Sequence, residues 1–184
     1  MKATGIVRRI DDLGRVVIPK EIRRTMRIRE GDPLEIYTDR EGEVIFKKYS
    51  PIGELMDFAS EYAETLFKTC GMLVAVCDKD CVIACAGISK KEFVERKHSG
   101  EIEGIIEGRS LYTAPALPEK RIFLTEENKN YYVSCAMPIF TEGDVIGCVA
   151  SLGSSDGKYA LPSPEIETKL IQTAASFLGR QLEA

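Results

Sequence analysis

Two patterns of hydrophobic positions divide this sequence, and they predict different elements in its two parts. Within residues 1–50, short apolar runs alternate with turn residues, which predicts strands at 3–10, 15–18, 34–38 and 44–48. Pro19 ends the second strand, and the apolar spacing after it predicts a single helix over 20–28. Four short strands and one helix cannot bury much apolar surface, so we expect this segment to fold as an oligomer.

A domain boundary is predicted at Ser50 and Pro51, which suit the N-cap and the first position of a helix. The predicted domains are therefore 1–50 and 51–184, with a linker and a first helix within 51–70. Apolar residues in this helix have the heptad spacing of a short coiled coil, which predicts a seam between chains. The alternative is a helix that is fully buried in its own domain. The seam residues are Ile52, Leu55, Ala59, Tyr62 and Leu66.

The remainder of the chain predicts an α+β domain with an antiparallel sheet and flanking helices. Its order is two strands joined by a hairpin, two small helices, an irregular loop, three strands and a last helix. The predicted bounds are 72–77, 81–86, 90–98, 101–106, 109–119, 121–124, 131–140, 144–152 and a helix from 164 onward.

Charge is distributed unevenly between the two predicted domains. The chain has a net charge of −4, but residues 1–29 contain 9 Lys and Arg against 3 Asp and Glu. Residues 51–184 are acidic, with 13 basic against 20 acidic side chains. A basic head on an acidic body indicates a polyanionic partner for the head alone, the alternative being an ordinary solvated face.

Catalytic and metal-binding patterns are missing from the sequence. The six cysteines lie outside the basic head, and their spacing does not form the paired motif of a zinc site. We expect the cysteines to be small buried hydrophobic residues, with redox sensing and metal or iron–sulfur binding as the alternatives. No paired carboxylates with a nucleophile and no phosphate loop occur, so we expect no enzyme, no metal and no cofactor. No apolar run is long enough for a membrane span, and a cytoplasmic protein is expected.

The N-terminal residues resemble the DNA-binding domain of the AbrB family of bacterial transition-state regulators. The resemblance covers 1–50 without a gap and rests on Thr-Gly-Ile-Val-Arg-Arg-Ile at 4–10, Asp-Leu-Gly-Arg-Val-Val-Ile-Pro at 12–19 and Glu-Ile-Arg-Arg at 21–24. It implies a mostly β, swapped-hairpin homodimer that binds double-stranded DNA. The predicted helix seam would join such dimers into a homotetramer. The resemblance implies DNA contacts by Arg8, Arg15, Arg23 and Arg24. Phosphate contacts are further expected from Lys2, Arg9, Lys20 and Arg27. The alternative for each arginine is an ion pair with Asp11, Asp12 or Glu21.

The order of elements in 51–184 resembles a GAF domain, with a PAS-like domain as the alternative. A GAF-like fold implies a site for an unknown small molecule, lined by Tyr112, Phe123 and Tyr132, although a domain that only oligomerises is an equal interpretation. The combined resemblance implies a transcription regulator that activates some genes and represses others during spore formation. Two other functions are alternatives: an antitoxin of a toxin–antitoxin pair, and a GAF-type cysteine methionine sulfoxide reductase.

Overall fold

The computed structural model describes residues 5–49 and 56–183, and the chain separates into two compact units, Met1–Tyr49 and Ser50–Ala184. The first unit contains helix α1 (Lys20–Thr25) and an antiparallel hairpin of β1 (Leu34–Thr38) and β2 (Val44–Lys48). The hairpin register runs from Leu34 opposite Lys48 to Thr38 opposite Val44, as the alternating apolar pattern predicts. In its turn, the Asp39 carboxylate accepts hydrogen bonds from the amides of Glu41 and Glu43.

The strands predicted at 3–10 and 15–18 are not formed in the single chain, since residues 5–18 contain no strand. A strand needs a neighbouring strand for its backbone donors and acceptors, and none of the described strands pairs with residues 5–18. Their apolar side chains are accordingly open to solvent, with Val7 at 89% and Val17 at 70% exposure. Among residues 5–47, only Pro19 and Ile28 are buried.

Helix α1 is also shorter than predicted, because the backbone turns out of the helix after Thr25. Arg27 has a positive φ of 53°, and the Ile28 amide donates to the Arg23 carbonyl oxygen at 2.8 Å. This closure of the C-terminus satisfies carbonyl groups that the helix itself leaves free.

The second unit is built on a five-stranded antiparallel sheet of order β4-β3-β7-β6-β5. Its strands are β3 (Leu73–Asp78), β4 (Val82–Ala86), β5 (Tyr112–Thr113), β6 (Tyr131–Thr141) and β7 (Asp144–Ser154). Its helices are α2 (Met56–Cys70), α3 (Lys90–Phe93), α4 (Gly100–Glu107) and α5 (Pro164–Gln181), with a 3-10 turn at Pro118–Lys120. The predicted α+β arrangement is therefore confirmed for this unit.

Two apolar cores lie on the two faces of this sheet. One contains residues of α2 and α5 packed on the sheet, with Ala59, Leu66, Ile171 and Leu178 buried. The other contains Phe93, Ile102 and Ile106, from the segments of α3 and α4. Both faces of the central strands are covered, which explains why β3 and β7 are apolar along nearly their whole length.

Three local predictions in this unit are wrong. The helix predicted over 90–98 ends at Phe93. Residues 121–124 do not form a strand, and only Phe123 makes an isolated bridge, to Tyr132. The short strand β5 instead forms within the stretch predicted as a loop, where Tyr112 and Thr113 pair with Ala136 and Cys135.

Candidate nucleic-acid interface

The basic side chains of the first unit project from an irregular segment with a loop and from a helix. Arg8 and Arg9 lie in the irregular segment before the Asp11–Arg15 loop, and Arg15 lies at the end of that loop. Lys20, Arg23 and Arg24 project from α1, where residues three and four apart share a face. All of these side chains are exposed, as is Arg27, whereas Lys2 lies outside the described residues.

Most of these cations have no acidic partner within the described residues. Arg8, Arg9, Lys20, Arg23 and Arg24 make no ion pair there, so their charge is available to an external anion. Exposed guanidinium groups meet phosphate oxygens or guanine edges with two parallel hydrogen bonds. The arrangement therefore forms a cationic surface suited to a polyanion.

Arg15 has an acidic partner, and this contact was one of the alternatives that the sequence left open. Its Nε donates to Asp11 Oδ2 at 2.7 Å, although the Arg15 side chain remains 70% exposed. The hydrogen bonds from Arg15 hold the pKa of the Asp11 carboxyl below its usual value. Because the carboxylate engages Nε, it does not occupy the terminal amino groups of the guanidinium.

The described residues of the predicted seam lie mainly inside their own unit. Ala59 and Leu66 are 0% and 5% exposed and belong to the core beneath α2, so their side chains are not available to a second chain. Tyr62 is half-buried and stacks on Phe177 of α5. Ile52 and Leu55 lie outside the described residues. The heptad spacing in α2 therefore reflects packing on the sheet at Ala59 and Leu66, because a core-facing stripe and a coiled-coil seam share this spacing.

The three candidate pocket residues have different surroundings. Tyr112 packs against the core on the α4 side, and burial raises the pKa of its hydroxyl. The Tyr132 ring is covered by the Arg121 guanidinium at 4.0 Å from its centroid, and Lys129 lies 5.8 Å from the Phe123 centroid. A groove of about 530 Å³ lies elsewhere, where Met56, Ser60, Cys85, Lys90 and Val94 are among its lining residues.

The cysteines are free thiols, and four of the six are buried. Cys148, which lies opposite Cys77 on the neighbouring strand, raises the pKa of the Cys77 thiol well above its usual value, as does burial. Burial likewise raises the pKa of Cys85 and of Cys135 to about 11. These thiols are protonated near neutral pH, which is unfavourable for nucleophilic chemistry.

The single histidine of the sequence, His98, is only 2% exposed. Its ring nitrogens lie 3.0 Å from the Ser99 carbonyl oxygen and 3.2 Å from that of Asp78. This links the end of β3 to the start of α4, so His98 has a packing environment rather than an open site. Among the described residues, no cluster of three or more His, Cys, Asp or Glu side chains could hold a metal ion. None of the helices in the described ranges is long and apolar enough to cross a membrane.

Comparison with known proteins identifies relatives for both units. A family model described as stage V sporulation protein T C-terminal, transcription factor, matches residues 54–183. A second family model, described as antidote-toxin recognition MazE, bacterial antitoxin, matches residues 7–53. The chain is 52% identical over 184 residues to stage V sporulation protein T of Bacillus subtilis (strain 168), covering 100% of this chain and 99% of that protein.

Two further relatives each match one part of the chain. Transition state regulatory protein AbrB of Bacillus subtilis (strain 168) is 65% identical over 51 residues, which are 28% of this chain and 52% of that protein. The crystal structure of the GAF domain/HD domain protein from Geobacter sulfurreducens has 17% sequence identity and a TM-score of 0.47, covering 72% of this chain and 92% of that chain. The match to AbrB confirms the predicted family of the N-terminal domain.

Proposed function

The chain belongs to the family of stage V sporulation protein T, with an AbrB-like N-terminal domain and a GAF-like C-terminal domain, and we propose that it regulates sporulation genes by binding DNA. The observation that carries this proposal is the exposed cationic surface of the first unit, where five basic side chains have no acidic partner among residues 5–49. As a regulator of this family, it activates some genes and represses others. A DNA-binding regulator works where the chromosome is, so we infer a cytoplasmic location.

DNA binding by this surface is dominated by the phosphate backbone. Helix α1 has only six residues, too short to place a long recognition face in the major groove. Arg23 and Arg24, with Arg8 and Arg15, are the proposed primary contacts, and Arg9, Lys20, Arg27 and Lys2 are the proposed supporting phosphate contacts. Such a surface tolerates many sequences and discriminates mainly by DNA shape and deformability.

We infer that the first unit acts as a homodimer, because its own chain leaves its apolar residues uncovered. Val7, Ile10, Leu13 and Val17 are each at least 70% exposed. Pairing residues 5–18 with the same segment of a second chain would supply strand partners and cover these side chains. A two-fold dimer also doubles the cationic surface along the duplex.

The second unit offers a surface for assembly of two such dimers. Phe58 and Ile166 are 48% and 56% exposed, and Phe177 is 38% exposed beside Tyr62. Residues 58 and 62, four apart on α2, share a face, so this patch spans the exposed sides of α2 and α5. We propose that it forms the contact of a homotetramer, with Tyr62 as the one described residue of the predicted seam that takes part.

The C-terminal domain is also the proposed place for a regulatory small molecule. Support comes from the aromatic residues Tyr112, Phe123 and Tyr132, which lie around the region of β5 and β6. Regulation would require that the molecule bind two arrangements of the tetramer with different affinity.

The alternatives from the sequence are less favoured. The antitoxin family model matches only residues 7–53, whereas the relative that spans the whole chain is a stage V sporulation protein T. A cysteine reductase needs a reactive thiolate, and the raised pKa values of Cys77, Cys85 and Cys135 oppose one at these positions. A regulator without enzymatic activity is therefore the proposal.

The test is a salt titration of DNA binding by the full chain. Fluorescence anisotropy with several 30-base-pair duplexes of unrelated sequence should give steep, similar slopes of log affinity against log salt concentration. Affinities that are insensitive to salt, or binding to one duplex only, would contradict a phosphate-dominated interface. Chromatin immunoprecipitation in sporulating cells would then test whether the bound genes belong to the sporulation programme.

A further inference from the structure

The loop between the first two predicted strands is organised by one carboxylate. Asp11 Oδ1 accepts hydrogen bonds from the amides of Leu13 at 3.0 Å and Arg15 at 2.8 Å, and Oδ2 accepts one from Arg15 Nε at 2.7 Å. The backbone closes the same loop, since the Asp11 amide donates to the Arg15 carbonyl oxygen and the Gly14 amide donates to that of Asp11. One side chain thus fixes both the loop and the guanidinium that follows it.

We propose that Asp11 is a positioning residue for DNA binding: it holds Arg15 through Nε so that both terminal amino groups of the guanidinium face the DNA. The proposal rests on the proposed role of Arg15 at the DNA interface. A guanidinium has five N–H donors in a fixed fork, and one contact at Nε leaves four on the terminal amino groups. These four are the donors that meet two phosphate oxygens or a guanine edge.

The position of Asp11 is not explained by electrostatics alone. A carboxylate beside a phosphate-binding surface repels DNA, so its charge by itself opposes binding. A restrained Arg15 loses less conformational freedom on binding, because its side chain is ordered before it meets the DNA. Charge repulsion by Asp11 lowers the affinity for DNA, whereas restraint of Arg15 raises it. Substitution can therefore separate the two effects.

Asp12 provides a matched control in the adjacent position. It carries the same charge and is exposed, and within the described residues it makes no hydrogen bond or ion pair to Arg15. Removing its charge should only reduce repulsion. D12N should therefore bind DNA as tightly as the wild type or slightly more tightly.

D11N should instead weaken DNA binding by the full chain about three- to tenfold, although it also removes a negative charge. The affinities are measured by anisotropy at one salt concentration, with circular dichroism and chain mass as checks on folding. In the R15Q background, D11N should no longer weaken binding, because there is no guanidinium left to position. D11N that tightens binding to the same degree as D12N would overturn the proposal.

A measurement on the unbound protein keeps the test independent of folding in the variants. In a ¹⁵N spectrum of the full chain, the Arg15 Nε–H should exchange with water more slowly than the Nε–H of Arg24. D12N should leave that protection unchanged. Equal exchange of the two groups in the wild type would overturn the positioning role. If R15Q leaves both affinity and salt slope unchanged, the failure belongs instead to the proposed DNA contact of Arg15.

Discussion

The ring of Tyr62 on α2 stacks on the ring of Phe177 on α5, with centroids 5.1 Å apart and planes inclined by 26°. This contact joins α2 and α5 across one face of the sheet. Phe58, one turn earlier on α2, lies on the same helix face as Tyr62 and is 48% exposed. Exposed apolar side chains of this kind are typical of a protein interface.

Phe58→Glu should therefore lower the oligomeric state of the full chain from the proposed tetramer to a dimer. The substitution introduces a charge that assembly would have to bury without a partner. The variant should keep DNA binding but lose cooperativity, and sedimentation velocity measures the mass. Leu117→Glu is the matched control, since Leu117 has the same 48% exposure but lies in a loop. An unchanged mass for Phe58→Glu would remove this face from the assembly.

Arg24→Ala should weaken DNA binding on every duplex tested and reduce the salt slope. Each lost phosphate contact lowers the slope by about 1 unit, which becomes about 2 for a symmetric dimer. Arg40→Ala is the control, because Arg40 is exposed in the β1–β2 turn of the same unit. If Arg24→Ala weakens only one duplex while its salt slope stays unchanged, Arg24 reads a base rather than a phosphate.

Gly179→Ala should destabilise the C-terminal domain by about 1–3 kcal/mol, the range found for overpacked cores. A Cβ at this position would collide with the Phe140 carbonyl oxygen, so α5 must move away from β6. Gly104→Ala is the control within helix α4, where a Cβ meets no atom within 4 Å. It should stabilise the domain by up to about 1 kcal/mol, because alanine favours the helix more than glycine. Urea denaturation measures the free energy of unfolding of both variants. Equal midpoints for Gly179→Ala and Gly104→Ala would contradict the close approach of α5 to the sheet.

Glu64→Gln should lower stability at neutral pH but not in strong acid. Hydrogen bonds from Lys90 and Lys68 lower the pKa of Glu64 to about 2, from an ordinary value of 4.5. A carboxyl with a lowered pKa in the folded state stabilises the fold above its unfolded pKa, and this contribution is lost as the pH falls through the folded pKa. The difference in melting temperature between wild type and variant should thus be present at pH 7 and shrink between about pH 4.5 and 2. A constant difference across this range would show that the ion pairs are not its cause.

The parts of the fold that depend on local signals were predictable from the sequence. The hairpin of Leu34–Thr38 and Val44–Lys48 has its predicted bounds, because alternating apolar residues and a turn define it locally. Strands β6 and β7 and helix α5 were also predicted to within a few residues. Their apolar runs are long and are bounded by turn or capping residues.

The errors occur where structure depends on partners that a local pattern does not contain. Residues 15–18 have the composition of a strand but no neighbouring strand among the residues that the structure describes. The β5 strand at Tyr112–Thr113 forms only because β6 provides a partner, and Ala59 and Leu66 face their own sheet rather than another helix. In the candidate interface, motif and charge predict the arginines as DNA contacts, and that role stays a prediction. The contact of Asp11 with Arg15 remained one alternative among several, because spacing in a loop does not define which carboxylate is near.

The small buried content of the first unit has a consequence for how cells use this regulator. Within residues 5–47, only Pro19 and Ile28 are buried, and in the proposed homodimer a second chain supplies the missing apolar contacts of the head. Formation of a binding-competent head is then second order in chain concentration. When most chains are dissociated, halving their number lowers the amount of paired head about fourfold. Promoter occupancy would therefore change more steeply than the concentration of the protein, which its rates of synthesis and degradation set.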